Sequence, residues 1–209
     1  MDNHYCVTGL MSGSSLDGID LACCEFSFEQ GNWNYRILEA ETYPYPPLLL
    51  KKLQQAIQWA RPALDRLDRE TGSYFASVLN QFHAHHSLEP DLISSHGHTI
   101  FHDPANRITL QVGDGRLMAD ATGITVVNDF RSEDVALGGQ GAPLVPVGDK
   151  LLFEKYQACL NLGGFVNISF EKDNCQRIAY DIGPANMALN WLANQDGKPY
   201  DQEGSLART

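Results

Sequence analysis

The chain has 209 residues, 43% of them hydrophobic and 20% charged, with a formal net charge of −11 at pH 7. This is ordinary globular composition, and without a basic patch it argues against nucleic acid as a partner. No apolar run approaches the ~18 residues of a membrane span, the amino terminus does not read as a secretory signal, and the five cysteines, odd in number with Cys23 and Cys24 adjacent, make a poor disulfide framework, so no membrane and a reducing cytoplasm are expected.

The first block reads as β-structure. Tyr5–Leu10, Ile19–Phe28 and Trp33–Thr42 carry β-branched, aromatic and alternating apolar residues, and Glu29-Gln30-Gly31-Asn32 reads as a hairpin turn. A three-stranded antiparallel meander is expected. Between its first two strands lies Gly9-Leu10-Met11-Ser12-Gly13-Ser14-Ser15-Leu16-Asp17-Gly18-Ile19-Asp20. Glycine lets backbone N–H groups approach an anion closely, and serine adds donors. The carboxylates cannot bind phosphate themselves and point to Mg²⁺ or its waters. The chain has no Gly-x-x-x-x-Gly-Lys-Ser/Thr loop, so a nucleotide here would sit on a strand–turn–strand hairpin.

After an extended linker, Tyr43–Pro47, Leu49, Leu50, Leu53, Ile57 and Ala60 recur at helical spacing. Pro62 suits the first turn of a second helix, whose apolar stripe runs from Ala63, Leu64 and Leu67 to Val78, Leu79 and Phe82. A helical hairpin on the sheet is expected. Three short strands then lead into polar loops: Asp91–Ser95 into Ser95-His96-Gly97-His98-Thr99, Ile108–Val112 into Gly113-Asp114-Gly115, and Ile124–Val127 into Asn128-Asp129-Phe130-Arg131. Ligands gather beyond the carboxyl ends of such strands.

Leu137–Pro146 reads as a hinge or crossover. A second glycine hairpin follows, with Gln157–Leu162 and Phe165–Phe170 flanking Gly163-Gly164. Asp173-Asn174 reads as a turn into Arg177–Tyr180, Asp181 as the residue closing that strand, and Ala185–Ala193 as a helix. The last residues show neither a cap nor a closing strand, so the chain reads as a piece of something longer.

Two glycine hairpins, one opening each half, resemble the actin-like and hexokinase-like ATPases, in which two related domains each offer a hairpin to the phosphates of ATP. Within that group, Gly9–Asp20 closely resembles the opening motif of the anhydro-N-acetylmuramic acid kinases. So do Ser95–His102, Thr109–Gly115, Asp129–Arg131, Gly138–Pro146, Asn161–Ile168 and Asp181–Asn186. These blocks run in order over nearly the whole chain. Ser14 stands where threonine is more usual, His98 where glutamine is, and Ile182 and Ala185 where threonine and glycine are.

The resemblance implies an α/β fold: a ribonuclease H-like (actin-like ATPase) domain with a mixed sheet, over residues 1–130, and the opening part of a second similar domain over 131–209. It implies ATP-dependent opening of the 1,6-anhydro bridge of 1,6-anhydro-N-acetylmuramic acid and phosphorylation of its O6, in cell-wall recycling. Asp181 resembles the catalytic aspartate, the base for the attacking water. Gly13, Ser14, Ser15, Leu16, Asp17, Gly18, Ile19 and Asp20, with Gly163 and Gly164, resemble the nucleotide-binding hairpins, with Asp17 and Asp20 orienting metal-bound water. His96, His98, Asp114 and Arg131 are the candidate sugar contacts, Arg131 as a bidentate clamp for the lactyl carboxylate. ATP and Mg²⁺ are the implied cofactors, a small sugar the partner, and a homodimer is compatible with it.

Two rivals remain at this point. One is a non-catalytic sugar-binding or interaction fragment. The other is a histidine-based metal hydrolase drawing on His83, His85 and His86 or on His96, His98 and His102. The first trio reads more simply as a helix C-terminus, where histidine suits the dipole, and the second lacks a cysteine pair or His-Glu-x-x-His.

Overall fold

A computed structural model of the chain describes residues 3–172 and 176–208. They form two compact units, Met1–Ala142 and Pro143–Thr209. The segment 131–142, assigned above to the second domain, lies in the first unit. The Asp173-Asn174 turn falls outside the described residues.

The first unit opens with three antiparallel strands, β1 (Asn3–Ser12), β2 (Ile19–Glu29) and β3 (Asn32–Tyr43). The expected meander is therefore present, each strand extending at most two residues beyond either end of its apolar run. Helix α1 (Pro47–Gln55) ends in a short 3-10 turn, and α2 (Arg61–His86) follows with Pro62 in its first turn. Alternation puts Leu10, Leu21, Cys23 and Ile93 on one face of the sheet, where they pack with Leu64, Leu67, Phe75, Val78, Leu79 and Phe82 from the apolar stripe of α2. Phe75, Leu79 and Phe82 are wholly inaccessible. Each such side chain contributes about 1.5–3 kcal/mol by leaving water, so this stripe is the main tie between helix and sheet.

Strand β4 (Leu92–Asp103) departs from expectation. The sequence reads as a strand ending at Ser95 and a loop over 95–99, yet the chain stays extended for twelve residues. Two partners account for it. The first half pairs in parallel with β1 and with β6 (Thr125–Asn128); the second half pairs antiparallel with β5 (Ile108–Val112). Gly97 lies at the change of partner, with φ of +70°, and a Cβ there would come within 2.9 Å of the Val112 carbonyl. Of the polar residues 95–99, Ser95, His98 and Thr99 are thus ladder residues, while His96 and Gly97 span the change of partner. Glycine bends the strand and keeps it paired.

The sheet order is β3-β2-β1-β4, with both β5 and β6 bonded to β4. Three antiparallel strands are followed by β4 and β6, which run parallel to β1, and by β5, antiparallel to β4, so the sheet is mixed. Helix α3 (Gly115–Thr122), not foreseen in the sequence, packs between α2 and β6, and α4 (Ser132–Ala136) packs beside β5.

The second unit begins with α5 (Val145–Leu152), also not foreseen. Its sheet is β7 (Ala158–Leu162), β8 (Phe165–Lys172) and β9 (Gln176–Pro184), all antiparallel, followed by α6 (Asn186–Gln195). Asp149 on α5 is buried and accepts the hydroxyl hydrogen of Ser169, whose oxygen accepts from Arg177 Nη2 at 2.9 Å. That chain of donors pins α5 to the sheet. A buried carboxylate is costly unless bonded in this way.

Candidate functional site

The expected strand–turn–strand loop occupies residues 13–18 between β1 and β2, with Ser12 paired to Ile19. It is closed by a bond from Leu16 N–H to the Gly13 carbonyl and by the Ser15 hydroxyl donating to Asp17 at 2.8 Å. Leu16 holds φ of +55° and rests on the core. Ser14 and Asp17 are exposed, whereas Gly18 and Ile19 are buried. A Cβ on Gly18 would lie 2.6 Å from Thr42 Cγ2 and 3.1 Å from the Tyr43 carbonyl, so β3 passes too close for any side chain. Asp20 accepts from the Thr42 hydroxyl at 2.6 Å. Asp17 and Asp20 each keep a carboxylate oxygen outside these bonds, which fits a pair that holds metal-bound water. Ile19 is wholly buried in the core, so it can offer a ligand only its backbone.

Below the loop lies a network that sequence reasoning missed. Ser12 Oγ is buried and bonds both the Tyr45 hydroxyl and His98 Nδ1, the latter at 2.9 Å. Burial pushes the His98 imidazole down to about 4, and the Tyr45 hydroxyl up to about 12, so both are neutral at physiological pH. The only sequence signal was polar Ser12 at an inward position of β1.

His96 and His98 point to different places, although two residues apart. His96 borders a cavity of about 330 Å³ on the sheet face opposite α2, shared with Gly9, Met11, Asp20, Ser94 and Phe130. Arg131 donates Nη2 and Nε to His96 Nε2, at 2.8 and 3.1 Å. A guanidinium can only donate, so Nε2 is unprotonated and Nδ1 carries the hydrogen given to the Gly97 carbonyl. Burial, then the Arg131 charge, hold this imidazole below its usual range. Among the described residues no carboxylate pairs with Arg131, so its charge is oriented by a neutral ring and remains available to an anion. A zinc site on His96, His98 and His102 does not fit this arrangement, because His98 is turned into the core toward Ser12.

Asp114 caps α3, with Oδ1 accepting from the backbones of Arg116 and Leu117. Its turn is held by Asp68 of α2, which accepts from Gly113 N–H at 2.7 Å while its own carbonyl accepts from Asp114 N–H. Burial raises the Asp68 carboxyl from its usual range. Asp68 was hidden in the sequence as one more polar residue of an amphipathic helix.

In the second unit, Gly163-Gly164 forms the two-residue turn between β7 and β8. The backbone N–H groups of Ala185, Asn186 and Met187 donate to its carbonyls. The turn and the start of α6 are therefore one piece of structure. Asp181 does not close β9, which continues to Pro184. Asn167 pairs with Asp181 but Val166 with Gly183, so Ile182 is an extra, bulged residue. A bulge re-aims neighbouring side chains, and it leaves Asp181 exposed.

The sequence model of the family described as "Anhydro-N-acetylmuramic acid kinase" matches residues 5–209. A protein of that name from Pasteurella multocida is 39% identical over 213 aligned residues, covering 96% of this chain and 55% of the relative. Another, from Paramagnetospirillum magneticum, is 42% identical over 206, covering 95% and 57%. The chain thus spans about half the length of the curated relatives it matches. A solved Ppx/GppA family structure from Aquifex aeolicus aligns over 90% of the chain and 54% of its own, at 10% identity and a TM-score of 0.39, a likeness too distant to bear on function.

Proposed function

The chain belongs to the anhydro-N-acetylmuramic acid kinase family, and from that premise we propose that the protein it represents opens the 1,6-anhydro bridge of 1,6-anhydro-N-acetylmuramic acid and phosphorylates O6 with ATP. The carrying observation is the match over residues 5–209, which includes both glycine hairpins and Asp181.

In this reading Asp181 takes a proton from water as the water oxygen bonds the anomeric carbon. The C1–O6 bond breaks, its electron pair goes to O6, and O6 attacks the γ-phosphorus with loss of ADP. The products are N-acetylmuramic acid 6-phosphate, ADP and a proton. A carboxylate near the anomeric carbon also stabilises its oxocarbenium character. The backbone and hydroxyls of Gly13–Gly18 and the Gly163-Gly164 turn cradle phosphate oxygens, since phosphoryl transfer needs mostly positioning and charge neutralisation. Asp17 and Asp20 would hold Mg²⁺ through its waters; the ion supplies neutralisation of phosphate charge. Arg131, unpaired with any described carboxylate and steered by His96, clamps the lactyl carboxylate. His98 supports the loop from below through Ser12. The reaction belongs in the cytoplasm, where ATP is available.

The test is a mass-spectrometric product assay on the full-length protein with ATP and the anhydro sugar, together with Asp181→Asn. The substitution is expected to abolish turnover and to leave sugar binding largely intact. A near-normal rate in that variant excludes Asp181 as the base.

A further inference from the structure

The end of α2 carries a cluster that the kinase reading does not use. Ligand atoms of Glu41, His85 and His86 all lie within 4.8 Å of one another. His83, the third histidine of that turn, is not among them: it is buried and bonded through Nε2 to the Thr8 hydroxyl at 2.9 Å.

His86 is the informative member. Its Nε2 is buried and, among the described residues, meets no hydrogen-bond partner. It nevertheless lies 3.1 Å from Glu41 Oε1, at ion-pair distance and side by side with that oxygen. Two ligands on one tetrahedral zinc, with bonds of roughly 2.0–2.1 Å, sit about 3.3 Å apart in this side-by-side manner. The other ring nitrogen, Nδ1, is 3.6 Å from Glu39 Oε2, where a carboxylate would fix the tautomer that leaves Nε2 free to ligate. Glu41 is itself oriented, because the Tyr43 hydroxyl donates to its Oε2 and leaves Oε1 to face His86. His85 meets His86 edge-on, with ring centroids 4.6 Å apart, and is exposed.

We propose that Glu41, His85 and His86 form a Zn²⁺ site, with water in the fourth position, that ties the carboxyl end of α2 to edge strand β3. Two imidazoles and one carboxylate favour zinc over the all-oxygen demands of Mg²⁺. The site joins residues on β3 and α2 within the first unit, so bound metal stabilises that unit by linkage.

The test is calorimetric titration of the chelator-treated chain with ZnCl₂, repeated on Glu41→Gln, His85→Ala and His86→Gln, with thermal melts of each. One equivalent of Zn²⁺ is expected to bind the parent chain and raise its melting midpoint. Affinity should fall on the order of tenfold or more in each variant, and Glu39→Gln should weaken it through His86. Co²⁺ should give the intense visible bands of a four-coordinate site, and Mg²⁺ should not compete. Lack of saturable Zn²⁺ binding by the parent chain overturns the site. So does binding that survives unchanged in Glu41→Gln and His85→Ala, two substitutions outside the core whose folding the melts verify.

Discussion

Residue chemistry around the loop makes a claim about pH. The His98 imidazole is held at about 4, against an ordinary value of 6.5, mainly by burial. Between those values the unfolded chain binds a proton that the folded chain refuses. The stability contributed is therefore present above pH 6.5 and lost as pH falls toward 4. From pH 7 to 4.5 this one group accounts for about 2–3 kcal/mol. His98→Gln keeps a neutral polar group that can still reach Ser12, so urea melts should show an acid-side loss smaller by about that amount. An acid limb unchanged from the parent protein would remove His98 from the explanation. Candidates at this scale were legible by residue type alone. The sequence marks His96, His98, Asp114 and Arg131 as polar residues after strands, but their roles diverge: one orients a guanidinium, one supports a loop, and one caps a helix. Tyr45 and Asp68 carried no usable signal, and Ser12 only its polarity at an inward position, since each is explained by a partner tens of residues away.

Among the elements, close backbone approach overrides intrinsic propensity. Gly72 lies inside α2, where alanine would ordinarily gain about 1 kcal/mol. A Cβ there would stand 2.7 Å from the backbone nitrogen and 2.8 Å from the backbone oxygen of Asp114. Backbone cannot swing aside as a side chain can, and overpacking costs typically 1–3 kcal/mol. Gly72→Ala is therefore expected to destabilise the chain in denaturant melts; a raised midpoint would show that α2 and α3 can separate at little cost. Gly18→Ala should act similarly through the Tyr43 carbonyl and should also weaken ATP binding by the full-length protein, measurable by calorimetry. The long helices and the meander were legible because their periodicities run uninterrupted. Strand β4 was not, because its second half owes its extension to pairing with β5. Helices α3, α4 and α5 span only five to eight residues each, too few turns for a periodic signal.

Across the whole molecule, the two units differ in how much core they own. The buried cluster of the first runs from Leu10 to Met118 and is closed within that unit. The second buries little apolar surface beyond Ala193, while Leu160, Leu162, Tyr180, Ile182 and Trp191 are more than half exposed. Residues 1–142 expressed alone are expected to melt cooperatively and residues 143–209 alone are not, as circular dichroism would report. The amino-acid order alone determined the two glycine hairpins, the meander and the stripe of α2, since these are written in local spacing and composition, and it pointed to the family through the resemblance of its ordered motif blocks. Tertiary structure decided which histidine faces the cavity, which supports the loop and which meets Glu41, because burial and hydrogen-bond partners are set by segments distant along the chain.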